Sequence, residues 1–282
     1  MYTAFTLWPI VATWYFSLFD WDGIGWPSNF VGLRNFLEVA KDRYFWQAFR
    51  QTMKFVVFQS ALKLPVALCL ALFLNNPKLL GRNFYRTVYF LPVVTTTAVI
   101  GIVMKFIFNP FNGPFNAALT RLGLLRVPVD WLGSIETALW VIIVVEAWHV
   151  CGQYMVYWLA GLQTVPSDLM EAAMIDGATK LQAFWYVTLP LLRPIATIIV
   201  LLGLVNALHV FDIVLTMTGG GPAFSTEVVN TFIYKTAFAG YPRIGYASAA
   251  GIFFGVTVMV ISIVQGLLLR RAQQLRRDYR MD

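Results

Sequence analysis

The stretch Glu171–Pro190, EAAMIDGATKLQAFWYVTLP, interrupts an otherwise apolar chain with two short amphipathic pieces around a glycine. It leaves no room for a membrane-crossing helix. To its N-terminal side, Ser167 is placed to cap a helix and Asp168 puts negative charge in the first turn. Leu169, Ala172, Ala173 and Ile175 then recur near one face, and Gly177 stands where a glycine ends a helix. Thr179 with Gln182 forms a capping box for a second short helix. Pro190 and Pro194 mark the turn into the next apolar run. The expectation for 164–193 is therefore helix, glycine turn, helix. Two adjacent alanines give the first piece a low profile that suits a groove on another protein, although a plain interfacial connector fits the same residues.

The rest of the chain sets that segment in a membrane. Of 282 residues, 59% are hydrophobic and 12% charged; soluble domains carry about a quarter charged residues. Apolar runs near the length of a bilayer crossing recur throughout, near 1–19, 48–74, 86–108, 137–162, 194–217 and 244–269. An all-α membrane protein with six transmembrane helices is the expected fold class. No internal repeat divides it, so 1–282 reads as a single transmembrane domain, with 164–193 as a loop within it.

Basic residues orient the chain. Lys78, Arg82, Arg86, Lys180, Arg193, Arg270, Arg271, Arg276, Arg277 and Arg280 fall on one side, clustered beside span ends. Arg34, Lys41, Arg43, Arg50, Arg121, Arg126, Lys235 and Arg243 are spread over longer loops on the other. The dense set places 164–193 and both termini in the cytoplasm. The chain begins almost inside its first span with no cleavage site after it, so that segment is expected to stay, and a start codon upstream fits the missing basic leader. The net charge of +7 comes mostly from the tail RRAQQLRRDYR, which suits lipid headgroups, so nucleic acid is not an expected partner. Cys69 and Cys151 fall inside spans and have no metal-ligand spacing. No GxxxxGK[ST] phosphate loop occurs.

Ionisable groups inside a bilayer are costly and mark a pathway. Glu146, His149 and Gln153 share one face of the fourth span, and Asn206 and His209 are three apart in the fifth. Acids, amides and imidazoles beside aromatic rings suit sugar hydroxyls and ring faces. With no arginine or lysine in that set, a neutral mono- or oligosaccharide fits better than a glycerol phosphate, which would want a bidentate arginine; polyols stay open. Either histidine could equally be a hydrogen-bonded packing residue, and Glu146 could simply pair with His149. No metal is expected there. Lys54, Lys63 and Lys105 are expected to snorkel or face a partner.

Glu171, Ala172, Ala173, Gly177, Val187, Leu189 and Pro190 match, at the right spacing, the EAA-loop pattern of permease subunits of bacterial ABC importers. Valine at 187 replaces the usual isoleucine. DWDG, FVGLRNF, FYRTVYFLP, EAAMIDGA, LPLLRP, VFDIVLTMTGGGP and GYASAAG resemble the maltose-type, carbohydrate-uptake branch across most of the chain. The resemblance implies the type I importer permease fold in a bacterial cell membrane. It implies a coupling helix around Glu171, Ala172, Ala173, Asp176 and Gly177 that docks on a separate ATP-binding cassette ATPase dimer. That dimer would bind ATP and Mg, so this chain would need no cofactor. A second related permease and an extracytoplasmic solute-binding protein would complete the assembly, and a sugar would cross by alternating access. The fourth and fifth spans line the sugar cavity in that family. An ion-coupled carrier using Glu146 and Asp212, and a membrane enzyme using Glu146 and His149 as acid and base, are the competing classes; the loop pattern argues against the first, and the missing nucleophile, metal motif and cofactor fingerprint against the second.

Overall fold

The structure is a computed structural model that describes residues 1 and 3–278; side chains from 268 onward lie outside the described residues, and so do the tail arginines invoked above. The chain is helical. Its helices are α1 (Trp8–Phe16), α2 (Arg34–Lys41), α3 (Arg43–Leu74), α4 (Arg82–Val94), α5 (Thr97–Ile107), α6 (Pro114–Arg121), α7 (Ala138–Leu162), α8 (Ser167–Ile175), α9 (Lys180–Ala183), α10 (Leu189–Leu208), α11 (Asp212–Met217), α12 (Val229–Phe238) and α13 (Ile244–Asp278). Among the described residues, pairing between extended segments is confined to an isolated bridge, Phe19 with Phe30.

Among the described residues four helices are long and apolar enough to cross a membrane: α3, α7, the run Lys180–Leu208, and α13 from Ile244 to Leu267. A fifth crossing results if α4 and α5 count as one, but they meet at 95°. The expected span 86–108 is therefore broken. Pro92 has no N–H to offer the preceding turn, and Thr95 adopts an extended conformation with its N–H on the Pro92 carbonyl. The expected span 194–217 also stops early. α10 ends at Leu208, and α11 starts afresh at Asp212. The Asn230 amide donates to the carbonyls of Leu208 (3.1 Å) and Val210 (3.0 Å), replacing the helical bonds lost at the break. The first segment is a π-helical turn, Thr3–Leu7, followed by α1, which is shorter than the roughly 20 residues a crossing needs.

The chain forms two compact units. The first comprises Met1–Val56, Gly101–Ile142 and Leu208–Ile261. Phe45 anchors it, edge-on to Phe232 at 5.9 Å and Phe253 at 5.5 Å. Asn35 on α2 donates to the carbonyls of Ser17 and Phe19, tying α2 to the end of the first segment. The buried Thr52 hydroxyl accepts the N–H of Val229 at the start of α12. Lys235 closes the 219–227 loop by donating to the Gly219 carbonyl and the Glu227 carboxylate.

The second unit comprises Val57–Ile100, Ile143–Ala207 and the chain from Ser262. Leu64, Ala67, Ala71 and Leu74 of α3 recur at helical spacing and pack on Tyr154, Met155, Trp158 and Leu162 of α7, with Leu192 and Ile199 of α10 completing the core. Small residues let the helices approach. A Cβ on Gly152 would lie 2.1 Å from the Tyr89 carbonyl oxygen of α4. Lys63, expected to snorkel or face a partner, is only 2% exposed. Its ammonium donates to the Gly203 carbonyl at 3.1 Å and sits 4.3 Å from the centroid of the Tyr154 ring. The small Gly203 exposes that carbonyl, which outweighs the reach of a lysine stem toward the membrane surface.

Candidate coupling loop and substrate face

The loop between α7 and Lys180 takes the expected helix–turn–helix form with two local corrections. α8 begins at Ser167, but Pro166 occupies the N-cap position and the Ser167 hydroxyl turns to the Asp168 carboxylate at 3.2 Å. Proline fixes φ and donates nothing, so it enters a helix without a side-chain cap. Gly177, at φ +87°, ends α8. Its N–H donates to the Met174 carbonyl and the Ala178 N–H to the Ala173 carbonyl, the paired bonds of a Schellman turn. Thr179 and Gln182 form the expected reciprocal capping box. The second correction concerns the prolines. Neither Pro190 nor Pro194 turns the chain, because Lys180–Leu208 is one helical run of 29 residues. A π-helical segment, Phe184–Thr188, precedes Pro190, and the Leu189 N–H reaches back to the Phe184 carbonyl. The widened turn absorbs the proline without breaking the rod.

No residue of α8 is buried. Leu169 is 46% and Ile175 86% exposed, and Glu171, Ala172, Asp176 and Gly177 are exposed with them; Ala173 is half-buried. On a helical projection Ser167 and Met170 share one side, while Leu169, Ala172 and Asp176 lie on the opposite one. The Thr188 hydroxyl contacts the Met170 sulfur at 2.9 Å, so the first side is turned to the protein. The second is a small, partly apolar surface with nothing from its own unit buried on it.

Four of the five candidate substrate residues fall in the second unit. His149 is 4% exposed. Its Nδ1 lies 3.3 Å from Glu146 Oε2, and its Nε2 lies 3.2 Å from the Thr95 carbonyl oxygen at the α4–α5 break. A carbonyl accepts only, so Nε2 carries the proton there. Gln153 is half-buried and donates to the Tyr157 hydroxyl at 2.7 Å. Asn206 is exposed and donates to the Tyr154 hydroxyl at 3.2 Å. The rings of Tyr154 and Tyr157 meet edge-on at 5.7 Å, which links Gln153 to Asn206 through two phenols. His209 belongs to the first unit, exposed in the turn after α10. Sequence reading passed over Tyr157, four residues beyond Gln153 and so on the same face of α7, and over Thr95, whose role arises only from the broken helix. Among the described residues no group of three or more His, Cys, Asp or Glu could hold a metal ion.

The chain as a whole is similar to known proteins. Residues 63–274 match the family model described as "Binding-protein-dependent transport system inner membrane component". The trehalose/maltose transport system permease protein MalF of Thermococcus litoralis is 35% identical over 262 residues, 93% of this chain and 87% of that one. The sn-glycerol-3-phosphate transport system permease protein UgpA of Agrobacterium fabrum is 33% identical over 260 residues, covering 92% and 86%. A solved bacterial ABC transporter for import of the acidic polysaccharide alginate contains a chain that superposes with a TM-score of 0.84 at 24% identity, over 96% of this chain and 91% of that one. The chain therefore belongs to the binding-protein-dependent inner-membrane permease family. It is a membrane transport subunit of an ABC importer, and not a catalytic one.

Proposed function

We propose that the chain carries a carbohydrate into the cytoplasm as one of two related permease subunits above an ATP-binding cassette ATPase dimer, with an extracytoplasmic binding protein delivering the sugar. The observation that carries this reading is α8, a nine-residue helix with no buried residue, closed by a glycine turn and anchored by one side only. In this reading α8 inserts its free side into the ATPase. Ala172 and Ala173 allow close approach, Glu171 and Asp176 fix polar contacts, and Gly177 sets the turn. ATP and Mg act on the partner and change the position of α8, which the spans convert into alternating access. Residues 1–282 act as one transmembrane domain; its six crossings require the bent α4–α5 pair to count as one and the short first segment, 3–16, to cross as well, which leaves both termini in the cytoplasm.

The substrate face proposed is Glu146, His149, Gln153, Asn206 and His209, with a neutral mono- or oligosaccharide as cargo. Amides and phenols at Gln153, Tyr157, Tyr154 and Asn206 supply the donors and acceptors that sugar hydroxyls need. An anionic cargo such as a glycerol phosphate is the second reading. It is supported by the similarity to UgpA, a permease protein of an sn-glycerol-3-phosphate transport system.

The coupling role is tested by co-purification from native membrane. Wild-type chain is expected to bring down an ATPase. Leu169→Asp on the free side of α8, and Gly177→Pro, which cannot adopt φ +87°, are expected to lose it while keeping the second permease. Retention of the ATPase by both variants, or its absence from wild type, would sink the reading.

A further inference from the structure

A cavity of about 830 Å³ opens in the second unit where α3 and α7 end. Its polar wall is Asn75, Asn76, Ser167, Lys180 and Thr188, whose hydroxyl is already held by the Met170 sulfur. Its apolar wall includes Leu72, Leu162, Phe184 and Trp185. The two walls follow from position. α3 and α7 are apolar enough to span a bilayer, so their last turns mark its boundary, and the residues just beyond them are at headgroup depth. Trp185, 56% exposed, is the kind of ring that settles at that level. The lining contains no aspartate or glutamate. Lys180 is exposed and, among the described residues, forms no ion pair. Lys78 and Arg82, both exposed, follow the asparagines within a few residues and add to the same charge.

We propose that this cavity seats an anionic phospholipid. The phosphate would meet the Lys180 ammonium and the Asn75 and Asn76 amides, and the first part of the acyl chains would lie along Leu72, Leu162, Phe184 and Trp185. A free phosphate would leave the apolar wall unused, and a zwitterionic lipid would gain little from a cation without a counterion. Ser167 and Met170 of α8 and Lys180 of the following helix all line the cavity, so the lipid would brace the root of the loop from the membrane side. The proposal requires only that the chain spans a bilayer; it does not rest on α8 meeting an ATPase.

The test uses the full-length chain in nanodiscs carrying dibrominated phosphatidylglycerol or dibrominated phosphatidylcholine at equal mole fraction. The signal is the fluorescence contributed by Trp185, taken as wild type minus Trp185→Phe. The anionic lipid is expected to quench it with about fivefold higher apparent affinity, near what one basic residue contributes beside a charged headgroup. Lys180→Gln is expected to remove that preference and Lys180→Arg to keep it. Equal quenching by the two lipids in wild type, or a preference that survives Lys180→Gln, overturns the proposal. So does quenching that disappears when the assembled transporter is used, since the cavity would then be occupied by another subunit.

Discussion

Glu38 and Arg243 are 205 positions apart and meet through two hydrogen bonds of 2.7 and 2.8 Å. The guanidinium also lies 4.6 Å from the centroid of the Tyr246 ring, whose hydroxyl donates to Asp42. The hydrogen-bonded guanidinium holds the Glu38 carboxyl below its usual range against the opposing effect of partial burial, and Arg34 adds a weaker pull. A depressed carboxylate pKa contributes stability that is present above about pH 4 and is lost as pH falls through the folded-state value. Both side chains are more than a third exposed, so the pair is worth at most about 1 kcal/mol. Glu38→Gln and Arg243→Gln are each expected to lower thermal stability slightly at neutral pH, and the double variant little further. Thermal unfolding in detergent across pH checks this. A Glu38→Gln deficit that persists undiminished at pH 3 would assign the effect to something other than the charge.

Among the elements, close contact between helices depends on particular glycines. In the second unit a Cβ on Gly152 would collide with the Tyr89 backbone at 2.1 Å, whereas one on Gly255 in the first unit would meet nothing within 4 Å. Backbone cannot yield as a side-chain end can, so Gly152→Ala should cost about 1–3 kcal/mol. Gly255→Ala, in the interior of α13, is expected to be neutral or slightly stabilising. Thermal midpoints of the two variants measured side by side would decide the matter, and equal midpoints would mean that α4 and α7 separate freely. The same scale explains the two span revisions. The breaks fall at Thr95–Thr96 and around His209, but a few polar residues inside long apolar runs do not by themselves specify a break. The breaks persist because His149 reaches the Thr95 carbonyl and Asn230 reaches those of Leu208 and Val210.

At the scale of the whole molecule the question is which polar groups face a transported sugar. Asn206 is exposed and holds the Tyr154 hydroxyl, while His149 is buried between Glu146 and the Thr95 carbonyl. Asn206→Ala is therefore expected to reduce uptake about tenfold or more with the complex still assembled, the loss of one or two hydrogen bonds to substrate. His149→Ala is expected to lower stability together with transport. Uptake by reconstituted vesicles, alongside recovery of the complex, separates the two. Unchanged sugar-stimulated ATP hydrolysis in Asn206→Ala would remove that residue from the substrate face.

The chain by itself determined the helical membrane class, the helix–glycine–helix loop and its capping box. Each depends on composition or on residues within a turn of one another: the length of apolar runs, Thr179 with Gln182, and Gly177 at a position that needs positive φ. The spacing of Glu171, Ala172, Ala173, Gly177, Leu189 and Pro190 pointed to the family, because that resemblance rests on residue identities and intervals legible in the chain. Only the tertiary structure decided where helices break, which partners the polar groups within the spans take, and that Lys63 turns inward. Those outcomes depend on partners far away in sequence, such as Gly203 for Lys63, Thr95 for His149 and Asn230 for the end of α10. In a low-dielectric interior an unsatisfied carbonyl or ammonium finds whichever donor or acceptor the fold brings near, and no local pattern specifies which one that is.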